Sequence, residues 1–248
     1  MTTATAYFNK LSGEFAMRYQ TRTAFRRRIS VWRRCLNRYA AKGGHCFDAG
    51  CGPGSLTQLV LDQNMSVFGV DASREMIKLA RDRYVEVADR ATFVERQLPI
   101  SDVSCDSTAD LIICSSVLEY IGDIESVVRD FYRILKPGGI LLSSLPNRQS
   151  ILRKVEKIVS RAHSGVRDYL TQQRHQFTVA ESQELFRNAG FVCESHEFFG
   201  MPSICYQFGF PETLRFCGTM ILVVVSKPRE QSLQANDRPL QRDALCRT

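Results

Sequence analysis

The sequence has no long hydrophobic run. Its longest purely apolar stretch, Met220 to Val225, ends after six residues, whereas about 20 are needed to cross a bilayer. No apolar core of signal-peptide type stands at the N-terminus, so secretion is not expected and a cytoplasmic location is. Cys-x-x-Cys pairs are also absent. The nine cysteines (Cys35, Cys46, Cys51, Cys105, Cys114, Cys193, Cys205, Cys217 and Cys246) are an odd number. That reads as reduced thiols, not as a zinc site or a disulfide set, and no metal is expected. With 248 residues, 44% hydrophobic and 24% charged, the chain can bury a core, and collagen-like, disordered and disulfide-scaffold classes are excluded. There is no internal repeat.

Acidic residues are scarce in two places. Residues 1–45 hold ten Lys/Arg and a single acid, Glu14, and residues 148–174 hold seven Lys/Arg and two acids. Residues 46–147 reverse the balance, with nine basic and fifteen acidic side chains. The formal charge of +7 is therefore concentrated in two segments. Whether they meet is a question for the fold.

What is present is an alternation of strands and helices. Residues 45–49 run apolar into Asp48 and a glycine-rich turn, and residues 55–63 carry Leu56, Leu59 and Val60 on one helical face. Val67 to Val70 read as a buried strand ending at Asp71, and Ser73 caps a helix through Met76, Ile77, Ala80 and Tyr84. Thr92 to Val94 and Asp110 to Cys114 are further strands. Residues 123–136 form a helix stopped by Pro137-Gly138-Gly139, and Ile140 to Leu145 are a fifth strand. This rhythm predicts a parallel α/β sheet. Beyond Pro146 an extra helix at 149–162, a helix at 178–189 and strands at 191–198 and 219–226 are expected, with an ordered loop at 200–217. The polar tail, 228–248, is expected to be disordered. Near the N-terminus, Phe8, Leu11, Phe15 and Tyr19 share one helical face. Phe25, Ile29, Trp32, Leu36 and Tyr39 form a longer stripe, with arginines 26, 27, 28, 33, 34 and 38 largely outside it.

The segment Phe47-Asp48-Ala49-Gly50-Cys51-Gly52-Pro53-Gly54-Ser55 follows a strand and opens a helix. A dinucleotide fingerprint requires a third glycine at position 55, which is Ser55. A phosphate-binding P-loop requires Gly-Lys-Ser/Thr, which is missing. A ligand-free structural turn is the remaining alternative.

Asp48-x-Gly50-x-Gly52-x-Gly54, Asp71 at the end of the second strand, and Ile134-Leu135-Lys136-Pro137-Gly138-Gly139 before the fifth together resemble the class I S-adenosylmethionine-dependent methyltransferases. The resemblance covers about residues 7–226 and is nearest to the ubiquinone/menaquinone-biosynthesis-like, small-molecule branch. It implies a Rossmann-like sheet of seven strands, mostly parallel, with helices on both faces, order 3-2-1-4-5-7-6 and an antiparallel last strand. It implies three parts: an N-terminal helical cap (1–44), the methyltransferase domain (45–227) with a lid insertion at 148–176, and the tail. The cofactor implied is S-adenosylmethionine. Asp48 attracts its ammonium, Gly50, Cys51 and Gly52 let the backbone approach, Asp71 takes the ribose hydroxyls, and Ala72 and Met76 flank the adenine. Gln97 stands in a shortened loop where an acid usually meets the adenine amine, and Ser115 matches the residue whose backbone meets the methionine moiety. Tyr19 and Arg22 close over the cofactor from the N-terminal helices.

Catalytic candidates are His175 in the insertion, and Glu119 and Tyr120 after the fourth strand. Glu119 stands where this branch often has His. His45, His196, Glu194 and Glu197 read as structural or solvated. In this superfamily the N-terminal helices and the insertion cover the acceptor, and here they are the two basic segments. The expected acceptor is therefore small, organic and anionic, with O-methylation favoured. Alternatives are RNA methylation, a lipid or quinone acceptor at an anionic membrane surface, and a non-catalytic cofactor-binding subunit.

Overall fold

A computed structural model describes residues 5–10, 23–40, 42–100, 103–154, 172–200 and 218–229. Seven strands form one sheet in the order β3-β2-β1-β4-β5-β7-β6. They are β1 (His45–Ala49), β2 (Ser66–Asp71), β3 (Ala91–Glu95), β4 (Ala109–Ser115), β5 (Leu135–Pro146), β6 (Val192–Phe199) and β7 (Met220–Ser226). The first five are parallel, and β7 runs antiparallel to both β5 and β6. Each parallel strand is joined to the next through a helix or short turn, as crossover connections require. The helices are α1 (residues 5–10), α2 (Thr23–Tyr39), α3 (Thr57–Leu61), α4 (Arg74–Arg83), α5 (Ile124–Ile134), α6 (residues 151–154) and α7 (Val179–Asn188).

Central strands are apolar on both sides because both faces are covered. Along β4, Leu111 and Ile113 face one core while Ile112 and Cys114 face the other. The first core takes side chains from α2, α3 and α4, and the second from α5 and α7. Helix starts are fixed locally. Ser73 Oγ accepts from the Met76 amide, Asp123 accepts from Ser126, and Thr178 with Glu181 forms a capping box at α7.

Helix α2 docks with its stripe inward. Trp32 and Leu36 are completely buried against Leu59 and Val60 of the α3 region and Leu222 and Val224 of β7, each such burial contributing about 1.5–3 kcal/mol. Tyr39 bonds Ser195 at 2.8 Å and Arg34 pairs with Glu197, both on β6.

One boundary departs from expectation. The helix before the fifth strand ends at Ile134, and Leu135 is already extended and paired with Ala109. Pairing with Ala109 draws Leu135 into the sheet, and the Lys227 carbonyl, accepting from the Gly138 amide at 2.7 Å, ties the Pro-Gly-Gly segment to the end of β7. The extra helix is described only at 151–154, and its expected continuation to 162, residues 201–217 of the expected loop and residues 230–248 of the tail lie outside the described residues. At the base of the insertion, Asn147 and Phe177 form a parallel bridge, reinforced by Arg148 N–H to the Phe177 carbonyl at 2.8 Å.

Candidate active site

The parallel register aligns the carboxyl ends of the strands, so Asp48 pairs with Gly69, Ala49 with Val70, and Ser115 with Ser144. In open α/β sheets this edge binds ligands. The glycine loop turns there. Amides of Gly50 and Cys51 both donate to the Val70 carbonyl, at 2.8 and 2.9 Å. Gly50, Gly52 and Gly54 all have positive φ, but for different surroundings. A Cβ on Gly50 would meet Val117 at 2.3 Å, and one on Gly54 would meet Tyr84 at 2.7 Å, whereas one on Gly52 would meet nothing within 4 Å. Only Gly52 therefore faces open space, and Gly50 is required by packing against Val117.

Asp71 ties the loop to β2. Its Oδ2 accepts from the Gly52 amide at 2.9 Å and its Oδ1 from the Ser73 amide at 2.8 Å. A carboxylate offers about four lone-pair positions, so each oxygen retains room for a ligand hydroxyl. Burial raises its pKa, and those amides pull it back. Asp48 is different. It is buried, and its Oδ2 has no partner among the described residues. Burial, and then the charge of Asp71, push its carboxyl up to about 8. A buried acid with an idle oxygen at the strand end that opens this loop calls for a cation. The ammonium and sulfonium of S-adenosylmethionine meet that demand, so the residues present fit this group.

The remaining expected cofactor residues flank this loop. Ala72 is half-buried beside Asp71, Met76 is buried in the first turn of α4, Cys51 is buried, and Gln97 is exposed after β3. Burial raises the Cys51 thiol well above its ordinary range. Tyr19 and Arg22 lie outside the described residues. The described N-terminal helix α1 does reach this edge. Asn9 contacts Ser73, and the Phe8 ring sits edge-on to Tyr120 with centroids 5.3 Å apart.

After β4 the chain makes a short 3-10 turn, Leu118–Tyr120, that buries Glu119. Its Oε2 has no partner among the described residues. Burial raises this carboxyl to about 7, against the opposing pull of its own amide, Arg153, Arg28 and Ser116. Tyr120 is half-buried on the same turn. His175 is held close by, its amide donating to the Glu119 carbonyl at 3.3 Å. The His175 ring is turned elsewhere: Nε2 lies 2.9 Å from the Ile121 carbonyl oxygen and so acts as the donor. His45 bonds Ser66 at the sheet's opposite end, and His196 and Glu194 are exposed on β6.

Two arginines reach this edge: Arg28, which the helical pattern groups with the solvated arginines, and Arg153, which no sequence pattern marks. Arg28 of α2 contacts Ser115 and donates to Ser116 at 3.0 Å and Ser144 at 3.4 Å. Arg153 of α6 is buried and donates to the Thr219 carbonyl at 3.0 Å. A signal existed for Arg28. It stands four residues before Trp32, on the buried stripe and not on the solvated face.

Residues 47–141 match a family model described as a methyltransferase domain. A probable S-adenosylmethionine-dependent methyltransferase of Mycolicibacterium smegmatis is 30% identical over 171 residues, 68% of this chain and 60% of that protein. A ubiquinone biosynthesis O-methyltransferase of Vibrio parahaemolyticus is 28% identical over 132 residues, 51% of this chain and 56% of that protein. The chain thus spans less than two thirds of either relative. Magnesium protoporphyrin IX methyltransferase from Synechocystis, solved with bound S-adenosylhomocysteine, shares the fold at a TM-score of 0.67 and 17% identity, covering 90% of this chain and 98% of that one.

Proposed function

The domain belongs to the class I S-adenosylmethionine-dependent methyltransferase superfamily, and on that premise we propose that the protein methylates an oxygen atom of a small, negatively charged organic acceptor. One observation carries the reading. Two buried carboxyls, Asp48 at the end of β1 and Glu119 just beyond β4, each keep an oxygen with no partner among the described residues, at the same sheet edge.

Asp48 and Asp71 would hold the cofactor, the first by charge and the second through its ribose, with Gly52 leaving room for it. When bound, S-adenosylmethionine supplies an electrophilic methyl carbon on a sulfonium sulfur, which the acceptor oxygen displaces in line. Most of the rate then comes from orientation, worth about 7–11 kcal/mol in favourable cases. Glu119, close to neutral pH in its titration, takes the acceptor's hydroxyl proton and releases it to solvent, which adds about 10²–10⁴ in rate. The two basic segments supply the attraction for an anionic acceptor.

Calorimetry with S-adenosylhomocysteine tests the binding half, with tight binding expected. Mass spectrometry of a metabolite extract incubated with methyl-labelled cofactor tests the transfer half, with label expected on acidic small molecules. A folded protein that gives neither heat nor thermal shift would sink the reading. Exposed Arg26, Arg33 and Arg38 on α2 support a second reading, with the acceptor presented at an anionic membrane surface. Co-sedimentation with anionic liposomes that survives charge reversal of these three would count against it.

A further inference from the structure

The region around Glu119 has an electrostatic imbalance. Two guanidiniums reach it, one from each basic segment. Arg28 Nη2 is bonded only to the hydroxyls of Ser115, Ser116 and Ser144, and its buried Nε has no partner among the described residues. Arg153 donates through Nε to the Thr219 carbonyl at 3.0 Å, through Nη1 to Gln173 at 3.2 Å and through Nη2 to the Met220 sulfur at 3.0 Å. Every one of these partners is uncharged. Thioether sulfur is a weak acceptor, so even the geometric satisfaction of Arg153 is thin.

The two cations are near each other. Arg28 lies over the Phe199 ring, 5.7 Å from its centroid, Arg153 contacts Met220, and Phe199 and Met220 are direct cross-strand partners at the ends of β6 and β7. Ser144, which Arg28 reaches, is on β5, the strand on the other side of β7. The carboxylate that acts on both is Glu119, yet neither arginine forms an ion pair with it among the described residues. Guanidiniums stay charged at any physiological pH. Among the described residues two positive charges thus face one carboxyl, and charge removed from water without a counter-charge is destabilising.

Resting on the methyltransferase reading above, we propose that the acceptor is a hydroxy acid: its carboxylate is bound by Arg28, with Arg153 as the second charge, while its hydroxyl faces Glu119. The planar fork of Arg28 matches a carboxylate, which Lys cannot reproduce. Ser116 and Ser144 hold Arg28 Nη2, and the guanidinium lies over the Phe199 ring. The acceptor brings the counter-ion that the described residues lack, so a neutral analogue of the same shape leaves the imbalance in place. A carboxylate at this edge has a second potential source, the cofactor's own methionine carboxylate, and the experiment separates the two.

The full chain and its Arg28→Gln and Arg28→Lys variants are titrated with S-adenosylhomocysteine by calorimetry. Each is then saturated with it and titrated, by thermal shift, with salicylate and 4-hydroxybenzoate against their neutral amides. The expected result is stabilisation of the parent protein by at least one of the acids and by neither amide. Arg28→Gln should weaken that acid at least tenfold, Arg28→Lys should weaken it partly, and both should leave S-adenosylhomocysteine affinity within twofold. Amides that bind as well as the acids, no acid that binds, or variants that bind the acid normally would overturn the proposal. So would an equal loss of S-adenosylhomocysteine affinity in Arg28→Gln, which would give the guanidinium to the cofactor. Failure of the parent protein to bind S-adenosylhomocysteine is a separate result that removes the underlying methyltransferase reading.

Discussion

The side chain of Val117 occupies the space that a Cβ on Gly50 would need, with Val117 Cγ2 2.3 Å from that position. The loop that follows β1 is thereby locked to the turn that follows β4. Gly50→Ala combines this overlap with a φ of +69°. Left-handed backbone costs about 1–2 kcal/mol and overpacking about 1–3 kcal/mol. Its melting temperature should fall by several degrees more than that of Gly52→Ala, whose φ is +54° but whose new methyl meets nothing. Gly52→Ala should instead lose S-adenosylhomocysteine affinity. Melting curves with and without that ligand check both, and a Gly50→Ala protein as stable as its parent would refute the packing argument.

Asp48 gives a pH dependence of definite sign. Its carboxyl is raised from 3.8 to about 8 in the fold, so between those values the folded chain holds a proton that the unfolded chain releases. Stability without ligand should therefore fall as pH rises across that window, and Asp48→Asn should flatten the slope. An ammonium placed beside Asp48 favours the ionised form, so S-adenosylhomocysteine, which carries one, should bind more tightly as pH rises towards 8 and should release a proton on binding near pH 7. Calorimetry in two buffers of different ionisation enthalpy measures that proton. Asp48→Asn should bind at least tenfold more weakly.

Glu119 titrates at about 7, so a base role makes turnover rise through neutrality. Glu119→Gln should lower kcat by about 10²–10⁴ and remove that rise, with S-adenosylhomocysteine affinity intact. His175→Ala should keep the rise, because the ring's Nε2 is committed to the Ile121 carbonyl. Complete pH–rate profiles of the two variants distinguish these roles; loss of the rise in His175→Ala alone would reverse the assignment.

Trp32 anchors α2. Trp32→Ala should cost about 3–5 kcal/mol and weaken acceptor binding more than cofactor binding, since Arg28 sits one turn away on the same helix. Trp32→Phe should be mild, because the buried indole Nε1 has no partner to lose among the described residues. Denaturant titrations give both values.

The parts of the fold visible in the sequence are those fixed by local physics. Ser73 and Thr178 cap helices where their spacing says they should, and the uniform apolar run of β4 implies two covered faces. Leu135 was misplaced because helical periodicity continues through it, while the strand register with Ala109 is a long-range contact. The Arg28 contacts lie 87 and 88 residues away. A helical projection reveals that Arg28 shares a face with Trp32, but not what that face meets. Glu119 was found by motif position alone; its isolation arises from a 3-10 turn that no periodicity announces. His175 attracted notice for its chemistry, and its ring proved to be held by a backbone carbonyl.

The bridge between Asn147 and Phe177 gives the region beyond β5 a hem. Buried Asn147 also donates to the Gly218 carbonyl at 2.9 Å, and the Phe177 amide to the Pro146 carbonyl at 2.9 Å, so both edges of the cut are sewn to the sheet. Closing a loop of any length there carries an entropy that grows only with the logarithm of its length. The chain between these two edges is consequently an exchangeable panel: selection or a designer can lengthen, shorten or replace it without reopening the seven strands behind it.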